Sequence, residues 1–245
     1  MVVAHSFLAV SSRCNHKDVL KYIIDYLQHI DNKAYRVRMR ILDTKLHGGL
    51  PQSRRRVYIV GWLKSRQVAP WSWPADVPMK PLSSILTSSM KSSFACTGKA
   101  AQANTVLALK SLAQRHSVGF RKHGGSALAA PDANDCVVDI GASPKHGGGK
   151  ITVGYSPCLT KTRAKVGGHY LLGKGRMMTL TEMERLQGFP HLVIPPGVSC
   201  GTYAGMLGNA FTLTVAGKVA LALLRTTGKS TTTWSEPVWP PAMLT

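Results

Sequence analysis

Gln52, Arg54 and Arg56 stand at spacing two, immediately before Val57-Tyr58-Ile59-Val60-Gly61. Gly48, Gly49 and Pro51 predict a turn ahead of them, and the β-branched and aromatic run behind them predicts a buried strand. Extended backbone through Gln52 to Arg56 would turn all three side chains to one face. An amide and two guanidiniums aimed together make a donor array, suited to a phosphate or to the carbonyl edge of a base. The alternative is a solvated basic loop, since short Arg clusters are common. A second set follows Ser156-Pro157-Cys158-Leu159-Thr160: the cations Lys161, Arg163 and Lys165, again at spacing two. A strand there would present all three on one face. Two Gly-rich basic stretches, Arg121-Lys122-His123-Gly124-Gly125 and Lys145-His146-Gly147-Gly148-Gly149-Lys150, have the form of loops whose backbone can approach phosphates closely. Surface loops of no particular function are the alternative. Cys14, Cys96, Cys136, Cys158 and Cys200 are scattered without a Cys-x-x-Cys pair, so reduced intracellular thiols are expected and no metal site is.

The elements that must hold these groups are legible in part. Asn15 is placed to cap a helix over about 16–30, whose Val19, Leu20, Ile23, Ile24, Leu27 and Ile30 recur at three and four. Tyr35 to Leu42 alternates: Tyr35, Val37, Met39 and Ile41 predict a buried face, Arg36, Arg38 and Arg40 a basic outer one. Helix, strand, Arg-rich loop and strand suit the last units of an α/β sheet. From Lys64 onward Pro70, Pro74, Pro78 and Pro81, with Trp71 and Trp73, predict a linker. Asn104 to His116 predicts a helix carrying Val106, Leu107, Leu109 and Leu112, and Asp135 to Ile140 a strand. Thr179-Leu180-Thr181-Glu182 is a capping box opening a short helix that stops at Gly188. Helical pattern resumes at Ser199, and Phe211 to Leu224 is an apolar helix. Beyond Thr227 a poorly ordered tail is expected.

The chain has 245 residues and a net charge of +20. Residues 1–66 carry 13 Lys and Arg against 4 acids, residues 67–165 carry 12 against 4, and residues 166–245 carry 6 against 3. A basic excess of that size favours a polyanionic partner, nucleic acid before membrane. No apolar run is long enough to span a bilayer, and the first residues lack the pattern of a signal peptide. The expected location is intracellular, nuclear in a eukaryote.

The Gly-x-Pro-Gln-x-Arg-x-Arg turn running into a Val-Tyr-Ile-Val strand resembles the eighth sequence motif of the cytosine-5 methyltransferases. Arg176 to Pro190 resembles the ninth, and Met206-Leu207-Gly208-Asn209-Ala210-Phe211 with the following helix resembles the tenth. Three motifs in order, over roughly residues 16 to 226, resemble the back half of such an enzyme. The resemblance implies an α/β fold class: the back half of a Rossmann-like sheet of an S-adenosylmethionine-dependent methyltransferase, with a small, mostly β target-recognition domain. It places residues 1–65 at the end of the catalytic domain and 66–198, with the capped helix 179–188, in the recognition domain. Residues 199–228 would return to the catalytic domain, and 229–245 form a tail.

The resemblance further implies that Arg56 contacts the O2 edge of a flipped cytosine, while Gln52 and Arg54 brace the loops around it. Asn209, with Gly208 and Ala210, would lie along the cofactor S-adenosylmethionine. Double-stranded DNA would be the partner, met by Thr160, Lys161, Arg163, Lys165, Arg121 and Lys122. Cys158 stands where the family frequently has Thr. Methylation at C5 also needs a thiolate that adds to C6 and a Glu at N3, acting on a base taken out of the stack. The family draws these from Pro-Cys-Gln and Glu-Asn-Val, and the cofactor site mainly from a Gly-rich loop after its first strand; none of these occurs in these residues. Leu159 follows Pro157-Cys158, which comes after the Arg motif, so Cys158 is not expected to be the nucleophile. Three readings stay open: half of a DNA cytosine-5 methyltransferase, truncated or paired with a separate front-half subunit; half of an RNA (tRNA) relative; or a non-catalytic DNA-binding or regulatory module.

Overall fold

The computed structural model describes residues 16–88, 91–95, 98–118, 120–121, 127–128, 132–143, 148–190, 193–232 and 234–235. Asn15, Lys122 and residues 144–147 lie outside the described residues, as do the side chains of 115–121. In chain order the first elements are α1 (His16–Lys33), β1 (Tyr35–Asp43), α2 (Thr44–His47), β2 (Arg55–Leu63), α3 (Lys99–Val118), β3 (Phe120–Arg121) and β4 (Ala127–Leu128). Then come β5 (Cys136–Val138), β6 (Ile151–Val153), α4 (Lys161–Lys165), β7 (Tyr170–Leu171), β8 (Arg176–Met177), α5 (Leu180–Leu186), α6 (Cys200–Asn209) and α7 (Leu213–Thr226). They fall into two units. Unit 1 takes the described residues of Met1–Gly49, Arg54–Pro78 and Phe211–Glu236; unit 2 takes those of Leu50–Ser53 and Met79–Ala210.

In unit 1, β1 and β2 form an antiparallel pair with Val37 opposite Gly61 and Ile41 opposite Val57. The stripe Leu20, Ile23, Ile24 and Leu27 of α1 covers Tyr35, Val37, Val57 and Ile59 on one face. Helical geometry ends before Ile30, and Asp31 and Asn32 take left-handed φ of 49° and 50°, which short polar side chains tolerate. The opposite face, Leu42, Tyr58, Val60 and Trp62, packs on Val215, Val219 and Leu223 of α7. Burial on both faces explains why Val57 to Val60 is continuously apolar instead of alternating. Met39 and Ile41 depart from expectation: they are 42% and 48% exposed. α1 reaches only Tyr35 and Val37 on β1. Trp71 and Trp73, expected in a linker, instead pack on this core, with Trp71 stacked 5.2 Å from Trp62. The described start of the tail also folds back, Arg225 donating twice to the carbonyl of Thr232.

In unit 2, β5 lies between β6 and β7 in the antiparallel order β6-β5-β7-β8. The main core joins Val137 and Leu171 of this sheet to Leu159, Met183, Leu186 and Leu207. α3 corrects the sequence reading. It begins at Lys99, not Asn104, and Val106, Leu107 and Leu109 are each about half exposed, at 49%, 49% and 50%. The buried line is Asn104, Ala108 and Leu112 at i, i+4 and i+8. Asn104 Nδ2 donates to the carbonyls of Ile140 (2.7 Å) and Ala142 (2.9 Å), tying the helix to the segment after β5. A Cβ on Gly148 would strike the Ala142 carbonyl oxygen and lie 2.8 Å from Asn104 Nδ2, and one on Gly149 would lie 3.0 Å from the Asn104 carbonyl. The close backbone approach that those glycines permit is therefore made to the segment after β5 and to α3.

Candidate functional site

Gln52 is the meeting point of the sequence motifs. It is fully buried. Its Nε2 donates to the Leu186 carbonyl at the end of α5 (2.9 Å), and its Oε1 accepts from Leu159 N (3.2 Å). The backbone beside it forms a parallel bridge: Ser156 N donates to Pro51 O (2.7 Å) and Ser53 N to Ser156 O (3.0 Å). One side chain thus holds the Gly-Pro-Gln turn, the Ser-Pro-Cys-Leu-Thr segment and the capped helix together. Its carbonyl oxygen and one amide N–H are engaged by main chain within unit 2, and the extended run expected from Gln52 begins only at Arg55.

Residues 161–165 form α4, not a strand. Thr160 accepts from Arg163 N as its N-cap (3.4 Å); a Thr before a short cation-rich run is also a helix-start signal. At about 100° per residue the three cations no longer share a face. Lys161 and Lys165 are exposed, while half-buried Arg163 makes an ion pair with Asp139, Nε to Oδ1 3.0 Å. Arg121 lies in β3, paired with Ala127.

α4 packs on α6 through two glycines. A Cβ on Gly205 would lie 2.8 Å from Cγ of Lys165, and one on Gly208 only 2.4 Å from the Thr160 carbonyl oxygen. Gly208→Ala therefore pits the helix-propensity gain of about 1 kcal/mol against overpacking of about 1–3 kcal/mol between two backbones. The expected result is a lowered thermal midpoint; a raised one would show that α4 does not pack this closely. The same contact bears on S-adenosylmethionine. The space a missing Cβ leaves at Gly208 is filled by protein, Asn209 is the exposed last residue of α6, and Ala210 donates its N–H back to Leu207 O. These three residues do not by themselves make a site for that cofactor.

In unit 1, Arg54 is 2% exposed. Its N–H donates to Asp43 Oδ1 (2.9 Å), and its carbonyl accepts from Thr44 N (3.1 Å). Asp43 also caps α2 through Lys45 N (3.3 Å). Asp43 was not read as a site residue from sequence, although an Asp closing an alternating strand before Thr-Lys-Leu-His carries the N-cap signal. Arg56 is half-buried at the start of β2, and its Nη1 donates to the Arg55 carbonyl (2.8 Å). Burial pushes the Tyr58 hydroxyl up to about 12, against the pull of the Arg54 and Arg56 charges. Tyr58 thus stays protonated, with both guanidiniums acting on its surroundings.

The strongest electrostatic feature lies in unit 2. Glu182 is 0% exposed and Arg176 is 7% exposed. The two form a fork–fork pair, Nη1 to Oε2 and Nη2 to Oε1, both 2.8 Å. Glu182 also accepts from Thr87 N (2.9 Å) and Thr179 N (2.8 Å). Burial raises its carboxyl, but Arg176 and the two amides outweigh that and hold it below the ordinary value. Nearby, Tyr203 donates to Glu184 (2.6 Å). Its hydroxyl is raised by burial and then by that carboxylate. His169 is fully enclosed and lowered, first by burial; its ring approaches the main chain of Pro157 and Cys158 without hydrogen-bond geometry. Cys136 is buried, Cys158 half-buried and Cys200 exposed, and none of the three is in a disulfide. Among the described residues no cluster could hold a metal ion, and no single helix is long and apolar enough to cross a membrane.

The family model for C-5 cytosine-specific DNA methylases matches residues 11–225. No curated protein matches the chain. Among solved structures, the S. pombe Dnmt2 methyltransferase is similar at 13% identity and a TM-score of 0.50, over 91% of this chain and 67% of that one. The Entamoeba histolytica methyltransferase EhMeth is similar at 16% identity and a TM-score of 0.49, over 84% of this chain and 58% of that one. A mutant of Spodoptera frugiperda DNMT2 is similar at 16% identity and a TM-score of 0.49, over 86% and 64%. The chain thus spans 58 to 67% of the length of these structures.

Proposed function

We propose, from the premise that the chain belongs to the C-5 cytosine-specific DNA methylase family, that it is the back half of a DNA cytosine-5 methyltransferase. In this reading its residues brace the reacting base and hold duplex DNA. The thiolate, the N3 carboxylate and most of the S-adenosylmethionine site, which the family uses in general, would be carried outside these 245 residues. A separate front-half subunit is one such source. The observation that supports the reading is the seating of Gln52, whose amide joins the Arg-motif turn to the capped helix and to the segment leading into α4. That is a bracing role; in this reading Arg56 would contact the base, and Lys161 and Lys165 the DNA backbone.

The purified chain alone is expected to transfer no labelled methyl group to cytosine. Transfer to DNA should appear when a front-half polypeptide with Pro-Cys-Gln and Glu-Asn-Val is supplied. Methylation of tRNA in place of DNA would move the substrate to RNA. Transfer by the chain alone, abolished by Cys158→Ser, would overturn both the incomplete site and the placement of Cys158. DNA binding with no transfer in any combination would favour a regulatory module.

A further inference from the structure

We propose that Arg36, Arg38 and Arg40 form a phosphate track on unit 1, a nucleic-acid contact distinct from the cations of α4. All three are exposed and sit at alternate positions of β1. In an antiparallel strand, alternate side chains leave one face about 7 Å apart, comparable to the separation of successive phosphates along a nucleic-acid strand. Their cross-strand partners are Trp62, Val60 and Tyr58. These are anchored in the core beneath α7, so the row stands on a rigid base. Leu42 is next along the face and ends the row.

The charge around the row is strongly positive. Residues 31–76 contain ten Lys and Arg against three acids, Asp31, Asp43 and Asp76, the last of them 3.4 Å from His47 Nε2. Asp43 is 6% exposed and is occupied by the amides of Arg54 and Lys45. No carboxylate occurs in α7, which covers this face of the sheet. Asp18 and Asp25 belong to α1, which covers the opposite face. Among the described residues none of the three arginines has an ion pair; Arg38 makes only a long bond, 3.4 Å, to the Val37 carbonyl. Guanidiniums held this way suit bidentate contact with phosphate. A lipid surface fits less well, because the exposed apolar residues of β1, Met39 and Ile41, leave the other face of the strand. Binding along the track does not require methyl transfer.

The test uses the full chain and fluorescently labelled duplex DNA across a salt series. Changing Arg36, Arg38 and Arg40 together to Gln should make the slope of log affinity against log salt shallower by about 2–3. Changing all three to Lys should keep most of the slope, and Lys161→Gln with Lys165→Gln should lower it separately. Thermal midpoints should not move, since the side chains are solvent-facing. If the triple Gln variant fails to fold, the single Arg38→Gln, with an expected loss of about one in slope, decides the matter. A wild-type slope in the folded Gln variants overturns the track. So does binding to phosphatidylserine vesicles that depends on the row while duplex binding does not.

Discussion

Replacing Glu182 with Gln is expected to cost unit 2 about 3–5 kcal/mol, the range for removing one member of a buried ion pair. Arg176 would keep its charge while losing the carboxylate it is paired with. In either orientation the incoming amide would turn its NH2 toward the guanidinium and the backbone N–H of Thr87 or Thr179, donors against donors. Because Glu182 also completes the capping box of α5, the helix whose last carbonyls receive Gln52 would loosen with it. The effect should be read in chemical denaturation followed by tryptophan fluorescence and circular dichroism. Its pH dependence gives a second check. A carboxyl held below its ordinary value of 4.5 contributes stability above that pH and loses it as pH falls through the folded value. The wild type should therefore destabilise on acidification below about 4.5, and Glu182→Gln should lack that component. A variant within about 0.5 kcal/mol of wild type at neutral pH would mean that solvent reaches the pair.

Arg56→Lys is expected to reduce turnover by about 30- to 1000-fold, or roughly 2–4 kcal/mol, by analogy with removing one preorganised donor. The measurement is the single-turnover rate at saturating DNA in a complex carrying the front half. Arg56 is the second residue of β2, and its guanidinium is tied by Nη1 to the Arg55 carbonyl (2.8 Å), so its planar fork is held close to the strand. A lysine would keep the charge but present a single ammonium on a flexible stem. Duplex affinity should change little, because a base carbonyl becomes available only when the base leaves the stack. Weakened binding with an unchanged rate would make Arg56 a phosphate contact and remove it from the reaction.

The parts of this chain that sequence alone determined are those governed by local rules. The α1 stripe follows from apolar residues at three and four. The β1–β2 pair follows from alternation and a β-branched run, and the α5 cap from Thr179 and Glu182 three apart. Each depends on neighbours within a few residues. Spacing alone failed at Lys161, Arg163 and Lys165, where a period of two suggested a strand. Thr160 as cap, the reach of Arg163 to Asp139 and the glycines of α6 together select a helix. The face of α3 was misread because a small Asn-Ala-Leu line is buried against the segment after β5, while larger side chains face solvent. The roles of Gln52 and Glu182 were beyond local reading for the same reason. Gln52 bonds residues 134 and 107 positions away, and Glu182 accepts from Thr87, 95 positions away. A buried polar side chain must satisfy its hydrogen bonds with whatever main chain the tertiary fold brings to it, and no nearby residue records which main chain that is.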